Sequence, residues 1–332
     1  MALTAGGTAQ AATPSRAGET TEAPIVVTPD EGRYADMTSG YNKRWIGSPD
    51  HIRVIRSTAE AVAAVQEMVD TNKRFSVRSG GGCFENFVYN PQIETVLDLS
   101  TLDEVTYDEE RRAFAIQPGA ILMNVYDTLL HRWGVTLPAG LCYSVGMGGH
   151  AAGGGYGLMS RQFGLVVDHL HAVEVVVVDA EGRARAVVAT AEPDDPHHDL
   201  WWAHTGGGGG NFGVVTRYWF RTPGATGDDP RTLLPQPPSH VLLNVTAIPW
   251  SAVDEADFAR LLRNYIGWLN DHSAPGTPET ALSSLFGLNH VATGVLTLIT
   301  QVDATVDGAG DILADHLAAI GEGTAENVRA AL

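Results

Sequence analysis

Pro138-Ala139-Gly140-Leu141-Cys142-Tyr143-Ser144-Val145-Gly146-Met147-Gly148-Gly149-His150, closely followed by Gly153-Gly154-Gly155-Tyr156-Gly157, is the stretch that decides the reading of this chain. Its glycines recur at spacings too constrained for a linker. Backbone bare of side chains over such a length can lie flat against a large planar or phosphorylated ligand and aim its amides at it. One cysteine, Cys142, and one histidine, His150, sit inside the run. Each has a plainer reading beside the chemical one. The cysteine could be a small buried apolar residue, and the histidine a ring bonded to a loop carbonyl.

Upstream, Phe75 to Arg78 reads as a strand running straight into Ser79-Gly80-Gly81-Gly82. A strand-to-glycine junction can point backbone amides at an anion such as a pyrophosphate, although tight turns use glycine in the same way. The junction lacks the Lys-Ser/Thr of a Walker loop and the G-x-G-x-x-G of a dinucleotide fingerprint. Downstream, Gly206 to Gly210 leads through Asn211 and Phe212 into an alternating strand, Val214 to Phe220.

The elements between these motifs follow from periodicity and caps. Strands are predicted at His51 to Ile55, Thr95 to Leu99, Ala113 to Gln117, Val173 to Val178 and Ala184 to Ala189. A helix is predicted from Thr58 to Thr71, capped by Ser57 or Thr58, and another from Ile121 to Trp133, closed by Gly134. A short helix carries Asp199 to Trp202. Composition shifts to proline, glycine and aspartate at Thr222 to Ser239, where a domain boundary is placed. Beyond it come a strand (Val241 to Ile248), a helix (Glu255 to Leu269), strands within Ala281 to Gln301 and a helix (Gly310 to Ile320), an antiparallel sheet with helices on one face.

Composition bounds the function. The chain has 332 residues, 44% apolar and 18% charged, enough for two packed domains. A net charge of -18 repels phosphate backbones and anionic lipid, so neither nucleic acid nor membrane is an expected partner. Two cysteines, Cys83 and Cys142, exclude a disulfide framework and a four-cysteine zinc site. His197-His198-Asp199 offers no metal site, because adjacent histidines do not share a helix face. His169 and His171 share a strand face, read as a polar strand end, and Trp201 and Trp202 are read as packing. The residues through Glu22 lack a basic start followed by an apolar stretch and are read as a disordered leader, with an extended arm to about residue 40. Location is left open, with the cytoplasm favoured over export.

Arg78-Ser79-Gly80-Gly81, the Pro138 to His150 stretch, Gly153 to Gly157 and Ala203 to Thr216 together resemble the signature of the berberine-bridge-enzyme-like, FAD-binding PCMH-type flavoprotein oxidases. Asp194 to Gly210 is similar to the actinobacterial glycopeptide hexose oxidases and related antibiotic-tailoring enzymes. The resemblance implies an α+β fold. A two-subdomain FAD module over residues 41–222 precedes a smaller antiparallel substrate domain, 240–332, cut short. It implies that Arg78, Ser79, Gly80, Gly81 and Gly82 cradle the FAD pyrophosphate, and that Cys142 forms a thioether to the flavin. Val145, Gly146, Gly149, His150 and Gly157 would line the cofactor, and Val215 would touch it through its backbone. Tyr156 would stand where substrate binds, to hold or deprotonate a hydroxyl.

Two departures from the family pattern carry expectations of their own. Where the family reads R-S-G-G-H, this chain has Gly82, so one of two covalent anchors is missing; the plain structural reading of the glycine is a positive φ or close approach to a phosphate. The family's later segment, with its catalytic tyrosine, lies beyond Leu332, so a complementing C-terminal segment is an expected partner. The implied activity is oxidation of an alcohol on a sugar or natural-product scaffold, with dioxygen taking the electrons. A flavin dehydrogenase that does not use oxygen, and a non-catalytic FAD-binding half of a split protein, are the alternatives.

Overall fold

The computed structural model describes residues 23–332. The reading of the chain through Glu22 as a leader lies outside them.

Strand β1 (Ile25–Val27) and a single-turn helix α1 (Tyr34–Met37) open the described chain, followed by β2 (His51–Val54) and α2 (Thr58–Thr71). The predicted cap is in place: Ser57 Oγ accepts the Glu60 amide at 3.1 Å, and Asn72 closes the helix in the left-handed conformation. Strands β3 (Phe75–Arg78) and β4 (Thr95–Asp98) complete a four-stranded sheet, order β1-β2-β4-β3. β2 and β3 both run parallel to β4, and β1 is antiparallel to β2.

The second sheet, order β5-β6-β9-β7-β8, is antiparallel throughout. Its first pair is β5 (Val105–Asp108) and β6 (Ala113–Ile116), followed by helices α3 (Leu122–Trp133), α4 (Met147–Ala152) and α5 (Ser160–Phe163). Then come β7 (Leu170–Val178), β8 (Ala184–Thr190), α6 (His198–Ala203) and β9 (Val214–Phe220). Helix α2 joins the two sheets. Its Ala61, Ala64 and Val65 share a core with Leu97 of β4, Val176 of β7 and Val214 of β9. Glu174 ties the same junction by accepting from Thr58 Oγ1 and Thr216 Oγ1, both at 2.7 Å.

The third sheet, order β10-β12-β11, is formed by β10 (Val241–Pro249), β11 (Leu282–Gly287) and β12 (Val295–Asp303). Helices α7 (Glu255–Asp271) and α8 (Ala309–Gly321) cover one face, with the short α9 (Glu326–Arg329) at its end. Leu261 and Ile320 pack there on Ile248, Leu296 and Leu298. The α+β class and the antiparallel third sheet agree with the sequence. Strand β5 is an addition, and the strands expected within Ala281 to Gln301 are two, separated by the turn at Val291–Thr293.

His316, on α8, is fully buried and neither ring nitrogen has a hydrogen-bond partner. Its ring meets the edge of Trp268 at 4.5 Å and that of Tyr265 at 6.0 Å. Burial and, next, the nearby Arg161 charge lower its pKa to about 4, Asp315 opposing and His272 adding to the effect. Below pH 6.5 the unfolded chain takes up a proton that the folded chain refuses until about pH 4. Stability is therefore lost as pH falls through this window, by about 3 kcal/mol at about 1.4 kcal/mol per unit. We expect urea unfolding of the third-sheet region to weaken by that amount between pH 7 and 4, and His316→Phe to abolish this share of the acid slope. An unchanged slope in the variant assigns the effect elsewhere.

Candidate FAD site

Strand β3 delivers Arg78 to the mouth of a glycine loop. Its guanidinium is already engaged, Nη1 donating to Asp98 Oδ2 at 2.5 Å and Nε to the Tyr89 hydroxyl at 3.0 Å. Arg78 thus shapes the loop from beneath. Gly81 turns the backbone with φ +72° directly over this guanidinium. The loop meets the central glycine run at Gly80 and Gly146. A Cβ on Gly80 would collide with the Gly146 backbone, and one on Gly146 with Ser79 Oγ. Two bare backbones therefore touch where side chains would hold them apart.

The central run is pinned from several sides. Tyr126 donates its hydroxyl to Gly140 O at 2.8 Å, and burial pushes that hydroxyl's pKa up. Tyr218 donates to Gly148 O at 3.0 Å. Leu122 and Met123 at the start of α3 donate their amides to Val145 O and Tyr143 O, both at 3.0 Å. Ser160 Oγ donates to Pro138 O at 3.2 Å and accepts the Gly157 amide at 2.9 Å. His150 Nε2 accepts the Gly140 amide at 3.1 Å, which leaves its proton on Nδ1. Burial lowers its pKa, so the ring is a neutral imidazole at pH 7. The carbonyl partner considered for this histidine is replaced by an N–H.

One cleft of about 1840 Å³ is lined by Arg78, Ser79, Gly80, Gly81, Gly82, Cys142, Val145, Gly146, Gly149, His150, Tyr156, Gly157 and Val215. Every residue that the resemblance assigns to cofactor or substrate thus lines the same cavity. It exceeds the roughly 300–1,000 Å³ of an ordinary small-ligand pocket. At Gly149 a Cβ would meet nothing within 4 Å. The wall there is backbone facing open space, the shape a flat cofactor needs.

Cys83 and Cys142 are both free thiols, Cys142 exposed and Cys83 half-buried with its thiol donating to Glu85 O at 3.3 Å. Tyr156 is 69% exposed, and among the described residues nothing is hydrogen-bonded to its hydroxyl. Gly82 does not have a positive φ. The loop's left-handed residue is Gly81, and a Cβ at Gly82 would make an ordinary 3.5 Å contact with Val145 Cγ2. The positive-φ explanation for this glycine is thereby removed, which leaves close approach to a phosphate as its structural reading.

Sequence reasoning missed the rest of the lining. Phe84, Asn86 and Phe87 follow the first glycine loop, and adjacency to it was the available signal. Arg161, Ser283 and Leu285 also line the cleft, the last two from β11, and no local pattern marks them. His169 is a packing residue, its ring nitrogens placed against Phe163 O and Thr222 Oγ1 at 2.9 and 3.0 Å. Trp201 donates to Leu170 O at 3.0 Å, as packing, whereas Trp202 is 69% exposed.

A family model described as an FAD binding domain matches residues 49–187. The chain is 52% identical to the aclacinomycin-N/aclacinomycin-A oxidase of Streptomyces galilaeus over 88% of its length and 54% of the relative's. It is 36% identical to the hexose oxidase of Chondrus crispus over 72% of its length and 42% of the relative's. A solved glycopeptide hexose oxidase complexed with teicoplanin superposes with a TM-score of 0.88 at 50% identity, over 91% of this chain and 62% of the other. The chain spans about half the length of these curated relatives.

Proposed function

We propose that this chain, which belongs to the FAD-binding, berberine-bridge-enzyme-like flavoproteins, serves oxidation of an alcohol on a sugar or glycosylated natural-product scaffold. The observation that carries this reading is the convergence of thirteen sequence-selected residues on one cleft of about 1840 Å³. The division into an FAD-binding unit, 41–222, and a partial substrate-binding unit, 240–332, belongs to the proposal.

When bound, FAD supplies the redox chemistry, accepting hydride from the carbinol carbon and passing the electrons to dioxygen as hydrogen peroxide. The chain's own residues bind and orient. Backbone amides of Ser79 to Gly82 would hold the pyrophosphate, with Arg78 bracing the loop through Asp98. Val145, Gly146, Gly149, Gly157 and Val215 give the flat wall. Neutral His150 holds the 140 loop through Nε2 and keeps a donor at Nδ1. Cys142 offers the thiol for a covalent link. Tyr156 holds the substrate hydroxyl from the exposed side of the cleft, where a phenol can donate or accept. A complementing segment is part of the proposal. Leu243 and Val245 are 61% and 65% exposed on the outer face of the third sheet, an apolar stripe suited to being covered.

Incubation of the purified chain with FAD, followed by desalting, should give a yellow protein with about one flavin per chain. Peroxide release is then assayed over a panel of sugars and glycosides. Weak turnover by the chain alone is expected, and robust release by the isolated monomer removes the complementing segment. Reduction of an artificial acceptor without peroxide selects a dehydrogenase. A protein that stays colourless sinks the whole reading.

A further inference from the structure

Among the described residues, every hydrogen bond between residues 23–222 and residues 240–332 is donated by one side chain, Arg161. Its Nη1 donates to Glu279 O at 3.0 Å and Leu282 O at 2.7 Å, and its Nη2 to His272 O at 2.5 Å. The same guanidinium lies 5.6 Å from the centre of the Trp268 ring. No ion pair among the described residues makes this crossing, and each hydrophobic cluster of the third sheet is built within 240–332. The three carbonyls are well chosen. His272 caps the C-terminus of α7, where the helix presents partial negative charge to a cation. Glu279 and Leu282 flank the turn that feeds β11. Arg also supplies what Lys cannot, several donors in a rigid planar fork.

The other end of this side chain is equally fixed. Arg161 follows Ser160, whose hydroxyl joins Pro138 O to the Gly157 amide, one residue from Tyr156. The residue therefore connects the segment that carries Tyr156 and the flavin wall to β11, whose Ser283 and Leu285 form the opposite side of the same cleft.

We propose that Arg161 is a positioning residue that latches β11 across the cofactor cleft and sets the width available to substrate. The inference rests on reading the cleft as the FAD and substrate site. Arg161 lines the cleft, but its hydrogen bonds go to backbone carbonyls of the third-sheet region and none to the glycine loops, so its loss should leave FAD binding intact and loosen the far wall. Substrate held by both walls then binds more weakly, with the chemical step less affected.

The test uses the FAD-loaded chain with Arg161→Ala and Arg161→Lys. With alanine, flavin content should match the wild type, and calorimetry should resolve one joint transition into two. Amide exchange at Phe163, Gly164 and Thr280 should rise at least tenfold, while β12 is unchanged. Where turnover is measurable, KM for the same glycoside should rise about tenfold with kcat within about twofold, the pattern of lost uniform binding. Lysine, which can reach one carbonyl, should fall between alanine and wild type. An alanine variant with normal flavin, one transition and wild-type exchange overturns the latch. Should the alanine variant fail to fold, lysine decides: split transitions uphold the latch and wild-type behaviour overturns it. Calorimetry and exchange need no turnover, so a chain without any oxidase substrate defeats the proposed function while leaving this inference separately decided.

Discussion

Cys142→Ala is expected to turn flavin that survives acid precipitation into flavin released completely to the supernatant. The thiol sits in the lining of the cleft and is exposed, and the loop that carries it is fixed on both sides. Val145 N donates to Cys142 O at 3.0 Å, and Met123 N to the neighbouring Tyr143 O at 3.0 Å. A thiolate is the reactive form, and an electron-poor ring against it is the partner it needs. The thioether would replace the thiol hydrogen and one ring hydrogen, with the two protons and two electrons passing to dioxygen as hydrogen peroxide. Cys83 lines the same cleft, so proximity alone does not separate the two. Its thiol is half-buried and engaged with Glu85 O, whereas Cys142 is exposed. Cys83→Ala should therefore leave attachment unchanged. The check is intact mass after denaturation together with in-gel flavin fluorescence. Flavin still attached to the Cys142→Ala protein refutes the assignment.

What could be read from the sequence was local. Ser57 at the start of α2 and Gly134 at the end of α3 carry their own structural instructions, and both act as expected. The glycine runs announce backbone exposed to a ligand, and the cleft gathers them. Strand β5 escaped because Val105-Thr106-Tyr107-Asp108, although it alternates, is only four residues long, too short for periodicity to stand out. Its pairing with β6 is decided by tertiary context. Arg161 escaped for a different reason. A basic residue on a one-turn helix is ordinary until the chain returns more than a hundred residues later with three carbonyls. His316 looks in sequence like any polar residue on an amphipathic helix, and only packing reveals that it is sealed among aromatic rings. The sequence places Arg78 in the phosphate cradle; in the structure it lines the cleft, but its guanidinium donates to Asp98 and Tyr89.

Gly82→His should give the FAD-loaded protein a second covalent link. The resemblance places a flavin-linking histidine at this position, and two conditions must hold for the substitution to reproduce it. The backbone must accept an L side chain, and the side chain must reach the cleft. The first is met, because Gly82 lies outside the left-handed region and a Cβ there meets only Val145 Cγ2, at 3.5 Å. Gly81 would fail the same test, with φ +72° and the Arg78 guanidinium 2.9 Å from a Cβ. The second is supported by Gly82 itself lining the cleft together with Cys142 and Val145. A single anchor leaves the flavin less constrained and without one electron-withdrawing substituent. Adding the histidyl link should raise the reduction potential, and for a two-electron couple about 30 mV corresponds to about 1.4 kcal/mol. Peptide mapping should find flavin bridging two peptides, one with the new histidine and one with Cys142, and in Gly82→His/Cys142→Ala one link should survive. Because the backbone tolerates the side chain, thermal stability should change by less than about 1 kcal/mol, as for substitutions away from strained or packed positions. A folded, yellow variant whose flavin maps to Cys142 alone shows that the loop does not aim position 82 at the ring, and the likeness to the family fails at that residue.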